Sequence, residues 1–291
     1  MQLNAMKLAV PLFVALAWGP SQGFAMPILD AELASFVVLG ALDVTSANVS
    51  TVGGNVGSSP GAPTSPATSF NFTFGSYQPG TEATAQTQLD QAIIDVNAFG
   101  PGTPVSGGNL DAFQALNGGF ISQGTYAVGA STSESITGDI FLDGGGSNTA
   151  VWNFLFSSSL VAGPVSNVIV QNVGDGSGVG IYWTVVSEAI LDGPTFAGNV
   201  LASTITTDGN LTIGCGRLLA ATANVALNGV GSNISIGCGV AGDIGFGSGG
   251  YDQGGVGTIP EPETYAMLLL AGLGVLGFSA RRRKLETAAA A

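Results

Sequence analysis

Thr204-Ile205-Thr206-Thr207-Asp208-Gly209-Asn210-Leu211-Thr212-Ile213-Gly214-Cys215-Gly216, continued by Val225-Ala226-Leu227 and Ile234-Ser235-Ile236-Gly237-Cys238-Gly239, is the stretch that decides the fold class. Extended backbone alternates its side chains, which puts Ile205, Leu211, Ile213, Val225, Leu227, Ile234 and Ile236 on one side and Thr204, Thr206, Thr212, Ala226 and Ser235 on the other. Short strands with such frequent Gly and Asn turns suit a sandwich, a barrel or a β-helix. Ile213-Gly214-Cys215-Gly216 recurs as Ile236-Gly237-Cys238-Gly239 at a spacing of 23 residues, within the period of stacked supersecondary units, and this favours the β-helix. Neighbouring coils about 4.8 Å apart bring equivalent Cα atoms close to bridging range, so Cys215 and Cys238 are expected to form a disulfide. Two cysteines without histidine are a poor metal site, and no metal is expected.

Outward from that stretch the pattern continues. Phe36-Val37-Val38-Leu39, Ser135-Ile136-Thr137, Asp139-Ile140-Phe141-Leu142 and Val168-Ile169-Val170 are further short runs between Gly and Asn turns, so residues 26–244 read as one mainly β domain. One segment, about 81–99, reads as helix. Thr81 caps it, Glu82 sits in the positive first turn, Ala85, Leu89, Ala92, Ile93 and Val96 recur at helical spacing, and Gly100-Pro101 stops it.

Composition excludes several functions. The chain has no histidine, a formal net charge of −13, and Arg217 as its one basic residue between Lys7 and Arg281. General bases poised near neutrality are most often His or Lys, and phosphate or nucleic-acid sites need clustered cations, so neither an enzyme nor a nucleic-acid binder is expected, and no cofactor. Charged residues are only 9% of the chain against 45% hydrophobic, which leaves a surface of small neutral groups rather than a disordered acidic tail. Asp139, Asp143, Glu188 and Asp192 could hold Ca²⁺ or act as a glycosidase pair, but they read as turn carboxylates. Arg217 reads as structural, bonding carbonyls or a carboxylate between coils.

The two ends read as addresses. Residues 1–25 have Lys7, the apolar run Leu8 to Trp18 and the small residues of Gly23-Phe24-Ala25, the order of a cleavable export leader. Residues 245–258 are a Gly-rich linker. Residues 259–284 contain Pro260-Glu261-Pro262, an apolar transmembrane segment at about 265–280, and Arg281-Arg282-Arg283-Lys284; the cations hold that end in the cytoplasm. Residues 285–291 are a short tail. Residues 259–284 resemble the PEP-CTERM sorting signal of Gram-negative bacteria, which implies recognition by an exosortase and a secreted or cell-surface protein whose only membrane contact is this segment.

The runs FVVLGALDVTSANVSTVGGNVGSSPG (Phe36 to Gly61), GGFISQGTYAV (Gly118 to Val128), ITGDIFLDGGGSNTAVWNFLFSSSLV (Ile136 to Val161), IYWTVVSEAILDGPTFAGNVLASTIT (Ile181 to Thr206) and GRLLAATANVAL (Gly216 to Leu227), with the helix between them, resemble the microbial ice-binding proteins. The resemblance implies a discontinuous right-handed β-solenoid with one long α-helix packed alongside, and an ice crystal surface as ligand. Thr45, Thr51, Thr137, Thr204, Thr206, Thr222 and Asn224 are the candidate outward residues of the ice-contact face. Against a flat face stand the absence of a long Thr-x-Thr array and the charges of Asp139 and Asp208. The alternative is an envelope-displayed adhesin or structural protein that binds exopolysaccharide.

Overall fold

A computed structural model describes residues 28–80, 82–131, 134–174 and 178–236. The strand Thr195–Thr207 shows the architecture by itself, because it joins three parallel sheets in turn. Residue 195 pairs with Asn167 and Thr212, residues 199–202 with 182–185 and 217–220, and residues 205–207 with 189–191 and 225–227. A strand can do this only by winding around a common core, and the result is a three-faced solenoid. Gly198 makes one corner: its φ is +104°, and a Cβ there would lie 2.6 Å from Ile181 Cγ2, so only glycine fits. On the next coil a Cβ on Gly216 would lie 2.0 Å from the Gly198 carbonyl oxygen. The second glycine of the Gly-Cys-Gly motif is therefore a corner residue.

Pairing in register stacks like side chains on like. Val38, Leu218, Val200, Trp183, Phe154 and Tyr126 are successive partners on one face, all buried. The rings of Phe154 and Trp183 stack at 4.2 Å and 12°, those of Tyr126 and Phe154 at 5.4 Å and 20°, close to the strand spacing itself. The buried indole N–H groups of Trp152 and Trp183 donate to the carbonyls of Ile121 and Ala197. The alternation expected of the opening stretch holds: Ile205, Leu211, Ile213, Val225, Leu227 and Ile234 are buried and Ile236 half-buried. The expected 23-residue register does not hold. Ile213 pairs with Ile234, a spacing of 21, and the Ile236 N–H donates to Gly53 on the following coil. The same core column must be filled on each coil, and that column sets the register more firmly than the motif does.

Chain order and coil order differ. Phe36–Gly40, the first strand, lies between Asn55–Ser58 and Thr212–Ala220, so the chain enters mid-solenoid and builds outward through residues 44–79 to one end. The helix Ala83–Asn97 then takes it back along the outside toward Thr103–Val105 at the other end. At 1.5 Å per residue the helix spans about 22 Å. Ala85, Leu89, Ala92 and Val96 are its buried stripe and pack on Leu39, Val151, Tyr182, Leu201 and Leu219. The observed bounds correct the expected 81–99. Thr81 lies outside the described residues; Glu82 is not in the first turn but occupies the N-cap, without a side-chain cap bond and with its side chain buried. Two short helices were not expected, Ala31–Ala34 and Leu110–Leu116. The latter closes the far end: Asn109 accepts from the Ala112 N–H, Gln114 accepts from the Phe141 N–H and donates to the Asp139 carbonyl, and Phe113 packs edge-on against Tyr126.

Candidate functional site

One face is removed from contact with solvent. Its outward side chains Leu39, Leu201, Leu219 and Tyr182 are buried beneath the helix Ala83–Asn97. Arg217, on the same side, donates through Nε and Nη2 to the Ala34 carbonyl at 3.0 and 2.6 Å and through Nη1 to Asn199 Oδ1 at 2.9 Å. Burial lowers its pKa to about 9, which leaves it charged at neutral pH, and it pins the entering segment to the coils as the sequence suggested.

The second face is built from Val44–Ser46, Val225–Leu227, residues 205–207, residues 189–191 and Leu160–Ala162, in that order. Val44, Val225, Ile205, Ala189 and Leu160 point inward and are buried; Thr45, Ala226, Thr206, Ile190 and Val161 are their outward neighbours, one per coil and half-buried. The result is a straight row of small or branched neutral groups repeating at about 4.8 Å. Beside it run Asn224, Thr204 and Glu188, with the Ile205 N–H donating to the Asn224 carbonyl and Glu188 opposite Thr204. Thr206 Oγ1 donates to Glu188 Oε1 at 2.9 Å, which seats a carboxylate within the face.

Four of the expected residues thus come together: Thr45, Thr204, Thr206 and Asn224. Thr222 stands at the corner with the helix-covered face, exposed, its hydroxyl bonded to Ser203. Thr137 lies beyond the end of the row, next to the bridge from Ile136 to Ala162, and its N–H donates to Asp111. Thr51 is on the third face. Ala226, outward by alternation, and the apolar Ile190 and Val161 were not among the expected contact residues, which were all Thr or Asn; the signal for Ile190 was its alternation with buried Ala189 and Leu191.

The third face carries its own row, also missed. Asn71, Thr51, Asn233, Thr212, Thr195, Asn167 and Asp139 are partners in consecutive register. They are scattered through the sequence, and only the coil order aligns them. Asp139 terminates this row and accepts from Asn167 Nδ2 at 2.7 Å. Asp208 lies at the margin of the second face, beside Asp192. Neither interrupts a row at its centre.

The remaining carboxylates behave as turn and edge groups. Asp143 accepts from the Gly145 N–H, Gln171 and Asn172, and the Gly145 bond first, then Asn172, lower its pKa. Asp192 is raised, first by burial and then by Asp208. Among the described residues no group of three or more His, Cys, Asp or Glu side chains could hold a metal ion.

With that geometry in place, residues 38–233 match the model of the family described as ice-binding-like. The chain belongs to the ice-binding-like family. A second match assigns residues 258–284 to the PEP-CTERM protein-sorting motif. The chain is 29% identical over 256 residues to an ice-binding protein of Nostoc sp. (strain HG1), covering 86% of this chain and 85% of that one. In structure it resembles an ice-binding protein from an Antarctic biological consortium, with TM-score 0.57, 21% identity, and coverage of 80% of this chain and 96% of that one. The ice-binding protein of the Antarctic ascomycete Antarctomyces psychrotrophicus follows with TM-score 0.56, 23% identity, and coverage of 69% and 96%. The ice-binding-like domain accordingly has the fold of these proteins. Among its described residues no helix is long and apolar enough to cross a membrane; the expected leader, linker, sorting segment and Cys238 lie outside them.

Proposed function

We propose that this ice-binding-like domain adsorbs to ice through the row Thr45, Ala226, Thr206, Ile190, Val161 and its flank Thr204 and Asn224. The observation that supports this reading is the in-register, mostly uncharged row on a face free of the helix. A rigid lattice of small neutral groups holds interfacial water in place without the strong reorienting pull of charge, and such water acts as part of the ligand. Catalysis has no part in this reading.

Removal of residues 1–25 as a leader exports the domain, and the motif at 258–284 presents it to an exosortase for display in a Gram-negative envelope, with residues 245–258 as the flexible connection. In that oxidising compartment Cys215 pairs with Cys238, a bond that the adjacency of Thr212–Ala220 and Asn233–Ser235 favours. A second reading, adhesion through exopolysaccharide, draws on the Thr and Asn row of the third face.

The test is ice recrystallisation inhibition and thermal hysteresis of oxidised residues 26–258 against a size-matched inert protein. Faceted crystals with a freezing gap are expected. Round, freely growing crystals from folded protein would remove the ice reading in favour of adhesion.

A further inference from the structure

The two ends of the solenoid are built differently. Helix Leu110–Leu116 covers the far end, which also carries Asp111, Asp139 and Asp143. At the near end no Asp, Glu, Lys or Arg occurs between Asp43 and Glu82, and Asp43 itself is held by the backbone N–H and hydroxyl of Thr64. Each face ends there in an edge strand, a form that natural proteins normally blunt. Val44–Ser46 is covered by Ser65, whose N–H donates to the Val44 carbonyl and whose Oγ accepts from the Ser46 N–H. Tyr77–Pro79 ends in a proline, and its Tyr77 hydroxyl donates to the same loop. Phe70–Phe74 has neither device. It pairs with Ser50–Gly53 on one side, and among the described residues no strand pairs with its other side.

We infer that this charge-poor end, through the free edge of Phe70–Phe74, is where a second copy of the chain docks antiparallel about a two-fold axis. The edge is nearly self-complementary. A one-residue bulge at Thr73 and the 3-10 turn Ala67–Ser69 before the strand leave Phe70-Asn71-Phe72 as the regular segment to pair, and it reads the same in both directions. Pairing centred on Asn71 sets Phe70 against the second copy's Phe72 and Asn71 against itself. Such aromatic cross-strand pairs stabilise antiparallel ladders. Phe72 is only half-buried within one chain, and Phe70 of the other copy would complete its cover. Electrostatics select the same end, since two chains of formal net charge −13 repel least where they meet over the fewest carboxylates. The covered and acidic far end prevents head-to-tail growth, so the assembly closes as a dimer. This inference is independent of ice adsorption and leaves the Thr206 row free.

The test is sedimentation velocity of the full chain in non-ionic detergent, with Asn71→Lys and Asn71→Glu variants. Wild type is expected to form a dimer in a concentration-dependent way. Either variant alone places like charges opposite each other and loses the dimer peak, with an unchanged circular dichroism spectrum. An equimolar mixture of the two regains it. If the charged variants fail to fold, Asn71→Cys under mild oxidation is expected to give a reducible cross-linked dimer. A monomeric wild type, a dimer equally populated in Asn71→Lys (as association through the C-terminal apolar segment would give), or a mixture that stays monomeric overturns the inference. Absence of the Asn71→Cys cross-link does the same.

Discussion

At the residue scale, the proposed face separates threonines that look alike in the sequence. Thr206 stands at the middle of its row, between Ala226 and Ile190, whereas Thr51 faces another way. Thr206→Tyr is expected to abolish most thermal hysteresis while leaving the circular dichroism spectrum and melting temperature unchanged, because a protruding ring breaks the fit to a flat lattice. Thr51→Tyr is expected to leave hysteresis near wild type; equal losses from both would refute the choice of face. Asp192 gives a prediction about stability. Burial, then Asp208, raise its pKa in the folded state, so the native chain binds the proton more tightly than the unfolded one. The native state is favoured while the group is protonated, and that advantage is lost as pH rises from the ordinary aspartate range through the raised value. Asp192→Asn should therefore raise the melting temperature at pH 7 and bring no gain in acid below the unfolded pKa, as thermal melts at the two pH values would show. The inward or outward sense of Ile205, Thr206, Val225 and Ala226 was legible from alternation alone, since a strand offers only two directions. The partnership of Thr206 with Glu188 was not, because the two residues meet only across neighbouring coils.

At the element scale, the helix Ala83–Asn97 has two tasks: it returns the chain to the far end and it seals one face. Leu89 is fully buried in the helix-to-sheet contact. Leu89→Ala is expected to cost about 2–5 kcal/mol, read as a lower denaturant midpoint, and to raise amide exchange in the helix before the coils. Uniform exchange throughout would show that the helix and solenoid unfold as one unit. The apolar stripe of this helix was visible in the sequence, but its cap was misplaced. Glu82 looks like a first-turn acid complementing the helix dipole, yet its side chain is buried, and tertiary packing overrides the local preference. The short helix Leu110–Leu116 escaped notice because its brief run of periodic residues resembles the neighbouring loops; its purpose, the hydrogen bonds of Gln114 to both sides of the Phe141 peptide neighbourhood, is long-range.

At the scale of the whole molecule, the strand Phe36–Gly40 sits between coils that follow it by very different distances in the chain, Asn55–Ser58 and Thr212–Ala220. The solenoid cannot be completed until the C-terminal coils have formed, and long-range pairing of this kind slows folding. A disulfide at Cys215–Cys238 would tie the last coil that receives the N-terminal strands. Under reducing conditions the melting temperature of residues 26–258 is expected to fall, and alkylation after denaturation should label both cysteines only once reduced; labelling without reductant would show that the pair is open. Composition, alternation, the Gly-rich turns and the C-terminal motif were properties of the sequence by itself, and they determined a mainly β domain poor in charge, with a long helix and a sorting motif at residues 258–284. They did so because strand periodicity, helix periodicity and the cost of burying charge act over a few residues at a time. The tertiary structure alone decided which threonines share a face, that Ile213 lies opposite Ile234 rather than Ile236, and which edge remains open. Those outcomes depend on coil order and on side chains filling one common core column, and no local stretch of the chain carries that information.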